Sequence, residues 1–477
     1  MEPRPVFEHP DLPEQSRRRF LLISYHFPPD TSIGARRWET LAHFVRERGW
    51  GLDVIMRGGF RPDRERMQRL PCGVRVYEVP APVLAAKRLE HAAHRMLVMA
   101  RGVLSRGGSS RAGSTNGADT PVTSTAGDDD GLANLARLTR FPREPRDLLR
   151  AYWAWVDHAY GRAWARSAAQ VGLAIHRPGV HGAVISSGPP HMTHYAARDI
   201  ARHTGLPFVM DMRDPWSQGQ QLIDELSSPV WLVLARRHER RLVRDAALVV
   251  ANTEPARDAL RAVYPRWPDR FIAVLNGSDD YPIPPARHGH RFVIAFAGTI
   301  YIASKIRSLF RGAARAIERL GLTPEEFGFE FMGVAQPIAR LAREEGIAAY
   351  VTEHPRSSHA AALEMLAGGA MLPVFGWPRT NCISAKTFEV VRFDAWVLAL
   401  ATPGSATECL LRGTGADIVP PHDIARIADT IVQRYQEYRR GLRPTRIARV
   451  RNFERREQAR ILLDAIERCA GSPLARG

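Results

Sequence analysis

The stretch RFLLISYHFPPDTSIGARRWETLAHFVRERGWGLDVIMR, residues 19–57, decides the fold. It opens on an apolar run that stops at Pro28-Pro29, continues through a helical pattern over 35–48, and ends in a second apolar run at 51–57. A strand, a helix and a strand in that order form a βαβ unit, whose two strands lie parallel in one sheet. The chain repeats the pattern. Further strands are predicted at 74–80, 182–188, 207–213, 246–252 and 270–276, with helical segments such as 191–203 between several of them. Alternation of this kind implies an α/β protein with a doubly wound parallel sheet.

A proline-rich hinge, YPIPPARHGH (281–290), precedes a second series, with strands predicted at 292–298, 327–333, 349–355, 370–376, 395–401 and 416–420. The expected organisation is an N-terminal Rossmann-like domain over 1–284, a second such domain over 285–443, and a helix and tail over 444–477. Two such domains joined by a hinge hold a ligand between the carboxyl ends of their sheets. The segment 105–131 is rich in Gly, Ser, Thr and Asp and nearly free of large apolar groups, so it reads as a disordered insertion. The stretch 147–171 is helical in period and carries Trp153, Trp155 and Trp164, which suit either a core or an acceptor- or membrane-facing surface.

Composition narrows the function classes. A length of 477 residues exceeds what one core organises, and 45% hydrophobic with 25% charged residues is ordinary for a soluble protein. No apolar run approaches the ~20 residues that span a bilayer, and the early run at 19–27 reads as a buried strand rather than a signal peptide. The four cysteines are far apart, without Cys-x-x-Cys spacing, so neither a disulfide framework nor a zinc site is expected and a reducing cytoplasm is the default. The net charge of +17 comes from arginines scattered along the whole chain, with no nucleic-acid-binding module. Anionic substrates or an anionic membrane face are therefore the expected partners, and nucleic acid is not.

Among 67 basic residues only three, Lys87, Lys305 and Lys386, are lysines. Lys305 follows the strand and turn FVIAFAGTIY (292–301), just after Gly298-Thr299, and Lys386 lies in the loop-to-helix segment NCISAKTFE (381–389) with Ser384 and Glu389. A compact ammonium can meet a diphosphate as a point charge, and backbone N–H groups entering a helix favour an anion. Glu389 then suits sugar hydroxyls, or else pairs with Lys386 at i,i+3. In the first half, Gly34 stands at a strand-to-helix turn that lacks the G-x-G-x-x-G spacing, so a dinucleotide cofactor is not expected. His191 and His194 follow one strand, and Asp211, Arg213 and Asp214 another. Strand ends are where open α/β sheets hold their sites, although such residues also serve simply to cap and pair loops. No Asp-x-Asp stands at a strand end of the second half and no His/Cys cluster has ligand spacing, so no metal is expected.

The segments YHFPPDTSIGARRWETLAHFVRERGW, SSGPPHMTHYAA, GLPFVMDMRDPW, ANTEPARDALRAVYP with VLNGSDD, FAGTIY and SAKTFEVVRFDAWVLALATPGSATECLLRGTGADIVPPHD resemble the family 4 glycosyltransferases. These are retaining enzymes of the GT-B fold, two facing Rossmann-like domains, and the likeness is strongest to bacterial polysaccharide-building members. The resemblance implies a nucleotide-sugar donor held in the second domain: Glu389 on the ribose, Lys305 and Lys386 on the diphosphate, with Gly34, Gly298, Thr299 and Ser384 close by. It puts Arg37, Asp211, Arg213 and Asp214 on the acceptor side, and His194 and Asn381 at the reacting sugar. Two positions depart from the family pattern. Asn381 stands where many members carry the first of two glutamates, and Thr299 where many carry an arginine. An amide bonds a sugar hydroxyl but does not neutralise developing positive charge. The implied function is transfer of a sugar from a nucleotide-sugar to a glycan or lipid-linked acceptor, without metal or other cofactor. A nucleotide-sugar 2-epimerase and a catalytically silent binding or scaffold protein of the same fold are the alternatives.

Overall fold

The computed structural model describes residues 3–14, 17–60, 63–82, 145–218, 226–278, 281–299, 303–334, 337–376, 381–449 and 453–471. The expected insertion at 105–131 and Lys87 lie outside them. The strands are β1 (Phe7–Glu8), β2 (Arg19–Ser24), β3 (Gly51–Arg57), β4 (Val74–Val79), β5 (His181–Gly188), β6 (Phe208–Met212), β7 (Leu248–Ala251) and β8 (Phe271–Ala273), then β9 (Phe292–Ala297), β10 (Phe327–Met332), β11 (Val351–His354), β12 (Met371–Phe375), β13 (Trp396–Leu400) and β14 (Asp417–Val419). They form an eight-stranded sheet, ordered β1-β4-β3-β2-β5-β6-β7-β8, and a six-stranded sheet, ordered β11-β10-β9-β12-β13-β14. All pairings are parallel except that of β1 with β4. The two doubly wound sheets are those expected, and β1 is the one strand the patterning missed: a two-residue edge carries no alternation to read.

Burial follows from this layering. β2 is buried along its whole length because helices cover both faces of a parallel sheet. On one face Ile23 and Val184 pack under the helix His194–Thr204 through Ala196, Ala197 and Ile200. On the other, Leu22 and Val54 pack with Trp38 and Leu41 of the helix Ile33–Glu47. The helix Arg455–Gly471 joins that second layer through Ala459, Leu462, Leu463 and Ile466, so the C-terminus returns to the first domain. Arg48 fixes it there with bonds to Asp464 (2.7 Å) and Glu467 (3.1 Å), and Trp50 Nε1 donates to Glu467 (2.9 Å). Chain segments near 275 and 455 therefore cross side by side between the domains, with Ser278 N donating to Phe453 O at 2.7 Å.

The amino-terminal ends of the first sheet are closed by a buried charge network. Arg19, fully buried, is held by Asp53 (2.7 and 3.0 Å) and Asp11 (2.6 Å), and His181 Nε2 lies 2.8 Å from Asp53. These bonds lock that end. The opposite, carboxyl ends carry loops, and there the candidate site lies.

Candidate active site

Strand order reverses between β2 and β5 in one sheet and between β9 and β12 in the other. At such switch points the two neighbouring loops leave in opposite directions and open a crevice. The helix starts that follow β2 and β5 carry Gly34 and His194; the turn after β9 carries Gly298-Thr299, and the loop and helix start after β12 carry the 381–389 segment. Gly34, His194, Gly298, Thr299 and the 381–389 residues thus collect at the two switch points, while Asp211, Arg213 and Asp214 stand one strand over, at the end of β6. The crevices also face each other: Thr253 Oγ1 donates to Asn381 O at 2.5 Å, Asn381 Nδ2 lies 3.5 Å from Gln218 Oε1, and Cys382 Sγ lies 3.8 Å from Asp214 Oδ1.

In the second domain Lys386 and Glu389 occupy one short helix, Ala385–Val390, whose N-cap Ser384 accepts from Lys386 N at 3.3 Å. Lys386 Nζ donates to Glu389 Oε1 at 2.7 Å, the i,i+3 pairing left open by the sequence. Glu389 Oε2 also accepts from the hinge residue Tyr281 (2.8 Å) and faces His359 Nε2 (3.3 Å). Burial alone would push this carboxyl up, but the Lys386 ammonium and the bonds from Lys386, Tyr281 and His359 outweigh it and hold Glu389 below the usual carboxylate range. Gly298 has φ +117°, a conformation that favours glycine, and a Cβ there would stand 2.9 Å from Lys386 Cε. Glycine at this turn gives the Lys386 stem room to lie across it. Thr299 beside it is exposed. Lys305 is placed differently: only 1% exposed, it donates its ammonium proton to the carbonyl of Gly376 and supports the loop after β12 from beneath.

In the first domain Gly34 makes room for Arg213, because a Cβ at Gly34 would lie 2.5 Å from Nη1 of that guanidinium. Arg213 also donates to the carbonyl of Pro189, and burial lowers its pKa from the usual arginine range. Asp214 is shifted the other way: burial raises its carboxyl despite the Arg213 charge beside it. Arg37 and Asp211, both expected on the acceptor side, are buried and spend their groups on each other through two bonds of 3.0 and 3.1 Å. Trp38 Nε1 (2.8 Å) and Ser187 Oγ (3.3 Å) add to Asp211, while Arg37 reaches the Asn276 side chain (3.2 Å). This pair ties the first helix to β6 and to the segment after β8, beneath the crevice.

His194 is also fully buried. Burial pushes its pKa down to about 3, so the ring is neutral and exchanges one hydrogen bond with Ser186 Oγ at 2.8 Å. Its Nε2 lies 3.5 Å from His191 Nδ1, and the His191 ring stacks on Trp216 with centroids 4.9 Å apart. His194 therefore lies behind the half-buried His191, which is backed in turn by the buried Trp216.

Tyr281, His359, Gln218, Asn252 and Thr253 were not singled out from the sequence. Asn252 and Thr253 directly follow β7, so the strand-end rule that found Asp211 would have found them. Tyr281 and His359 come from a hinge and a helix start remote in sequence, and carry no local signal. Among the described residues no group of three or more His, Cys, Asp or Glu side chains is arranged to hold a metal ion.

Solved structures share the two-domain fold. The lipopolysaccharide outer core galactosyltransferase WaaB aligns with a TM-score of 0.53 at 10% identity, over 94% of this chain and 99% of its own. A UDP-forming α,α-trehalose-phosphate synthase from Burkholderia vietnamiensis aligns at 0.55 and 12%, over 94% and 100%. A mutant of S. aureus TarM, solved with fondaparinux, α-GlcNAc-glycerol and UDP, aligns at 0.52 and 8%, over 95% and 100%. The chain is built on the GT-B fold. No protein-family description matches its sequence, and no curated protein does. Identities this low speak for the fold, and activity has to be argued from the site.

Proposed function

We propose that the protein is a retaining glycosyltransferase that moves a sugar from a nucleotide-sugar to a glycan or lipid-linked acceptor in cell-surface polysaccharide synthesis. The observation that carries this reading is the Lys386–Glu389 pair on a helix at the second sheet's switch point, facing the first domain's strand ends. An ammonium and a carboxylate side by side complement a nucleoside diphosphate: Lys386 meets the diphosphate and Glu389 accepts from the ribose hydroxyls. Lys386 neutralises the charge that builds on the leaving diphosphate as the glycosidic bond breaks, the work a divalent metal does elsewhere, so turnover should survive EDTA. Asn381 bonds the transferred sugar through its amide, and the half-buried His191, stacked on the buried Trp216 and set in place by the neutral His194, faces the acceptor.

A membrane-linked acceptor is favoured by the helix Pro145–Ile175. Trp164 is core, but Leu148 (67% exposed), Leu149 (54%), Tyr152 (43%) and Trp155 (57%) are open to solvent, and Leu148, Tyr152 and Trp155 share one stripe at i, i+4 and i+7. On a chain of net charge +17, with Arg146 exposed on the same helix, such a stripe suits the headgroup region of an anionic bilayer. Among the described residues no helix is long and apolar enough to cross a membrane.

Incubation with UDP- and GDP-sugars, followed by chromatography, tests the reading. UDP comes first because the trehalose-phosphate synthase is described as UDP-forming and the TarM structure holds UDP. Slow release of nucleoside diphosphate is the expected result. Interconversion of two nucleotide-sugars without release would make the protein an epimerase. Binding without turnover would make it the silent relative that Asn381, in a glutamate's place, favours.

A further inference from the structure

Under the proposed function, a multiply charged diphosphate enters a crevice whose second-domain cations are already engaged. Lys386 is held by Glu389 at 2.7 Å, Lys305 is tied to the Gly376 carbonyl, and Thr299 is neutral. The first domain holds a cation that is not engaged in this way. Arg213 follows β6, one strand from the switch point, and reaches back to it beside Gly34, where a Cβ would stand 2.5 Å from its Nη1. The residue is half-buried, and among the described residues its side chain makes one hydrogen bond, from Nη2 to the Pro189 carbonyl, and no ion pair. The carboxylates around it serve elsewhere and act on it only through space. Asp211 is held by Arg37 and Trp38, Asp30 by His26 and Ser32, and burial pushes Asp214 up towards its neutral form.

A cation drawn partly out of water without a carboxylate partner is costly unless an anion reaches it. Its surroundings say which anion. Asp214, the next residue, has Oδ1 3.8 Å from the Cys382 thiol, so the Arg213 turn abuts the loop that leads into Lys386. We propose that Arg213 binds the donor's diphosphate from the first domain, so that one leaving group is held by both domains. The inference rests on the proposed donor site. With Nη2 on Pro189, the guanidinium keeps the N–H groups of Nη1 for phosphate oxygens, and an arginine suits such oxygens in geometry as well as charge. It also answers a shortfall, because Lys386 is itself paired and leaves most of the diphosphate charge without a partner. The family resemblance puts Arg213 on the acceptor side and an arginine at position 299. Here Thr299 carries no charge, and Arg213 supplies it from across the crevice. Gly34 is the glycine that leaves the guanidinium its place.

Calorimetry on the full chain tests it, with UDP, GDP, uridine and guanosine as probes. For whichever diphosphate the unaltered protein binds, Arg213→Met should weaken affinity about tenfold or more and leave the matching nucleoside unchanged, since only the diphosphate loses a charged partner. Arg213→Lys should recover part of the loss, because it keeps the charge without the planar geometry. Unchanged diphosphate affinity in Arg213→Met overturns the inference. Equal weakening of diphosphate and nucleoside overturns it too, since it gives Arg213 a structural role only. UDP-glucose beside UDP-glucuronic acid separates the other source of an oxyanion. Loss confined to the second in Arg213→Met puts the guanidinium on a sugar carboxylate and overturns the diphosphate assignment. If Lys386→Ala weakens binding while Arg213→Met does not, the donor site stands and this inference alone falls. If the unaltered protein binds neither diphosphate, both fall.

Discussion

Lys386 and Glu389 hold each other at 2.7 Å, and Tyr281 from the interdomain hinge holds Glu389 at 2.8 Å on its other oxygen. Under the proposed function, the cation for the diphosphate is therefore neutralised by the carboxylate for the ribose. A nucleoside diphosphate has to draw Lys386 away from Glu389, and Tyr281 then keeps the carboxylate in place. Removing a charged hydrogen-bond partner costs about 1.5–3 kcal/mol, so Lys386→Ala should weaken UDP binding roughly ten- to a hundredfold. Glu389→Gln should weaken uridine and UDP alike, because its loss falls on the ribose. Calorimetric titration reads both, and unchanged UDP affinity in Lys386→Ala would remove this lysine from the site.

The architecture was legible because parallel strands covered on both faces must be apolar over most of their length. RFLLIS, GLDVIM and FVIAFA announce themselves in that way, and the turns at their carboxyl ends follow. What the sequence did not reveal was which strand-end residue faces the crevice and which faces inward. Arg37 and Gly34 lie within one helical turn, yet Arg37 points under the sheet to Asp211 while Gly34 gives space to Arg213. Lys305 and Lys386 looked equivalent as isolated lysines, but one ends on a loop carbonyl and the other on Glu389. Side-chain direction depends on contacts as distant in sequence as the 174 residues between Arg37 and Asp211, and local pattern carries none of that.

That buried Arg37–Asp211 pair carries a stability prediction. Removing one partner of a buried ion pair leaves the other uncompensated, at a cost of about 3–5 kcal/mol. Asp211→Ala should show this loss in urea denaturation of the first domain. It also strips Trp38 Nε1 and Ser187 Oγ of their acceptor. The replacement Arg37→Met with Asp211→Leu should recover much of it. A wild-type midpoint in Asp211→Ala would mean that the pair contributes nothing.

His194 gives the fold a dependence on pH. Its pKa is pushed down to about 3 in the folded protein, against about 6.5 when exposed. Below pH 6.5 the unfolded chain takes up a proton that the folded chain refuses until near pH 3. The stabilising contribution is therefore present above pH 6.5 and lost as pH falls toward 3, at up to about 1.4 kcal/mol per pH unit for this one group. His194→Gln keeps a polar ring-sized group beside Ser186 but does not titrate. Melting temperatures at pH 7 and pH 5 should drop more in the unaltered protein than in His194→Gln, and parallel drops would show that His194 does not set the slope.

The exposed stripe of Leu148, Tyr152 and Trp155 makes the membrane reading testable apart from catalysis. Each basic residue near an anionic bilayer contributes about 1 kcal/mol, screened over about 10 Å at 0.1 M salt. The apolar stripe adds a term that salt does not screen. Co-sedimentation should therefore show binding to anionic vesicles at low salt, reduced but not abolished at high salt, and weaker binding to neutral ones. In the variant carrying Leu148→Ser, Tyr152→Ser and Trp155→Ser, the salt-resistant part should vanish while nucleotide binding in the other domain is kept. Equal, negligible sedimentation with both vesicle types would take the bilayer out of this reading and leave a soluble glycan as the acceptor to seek.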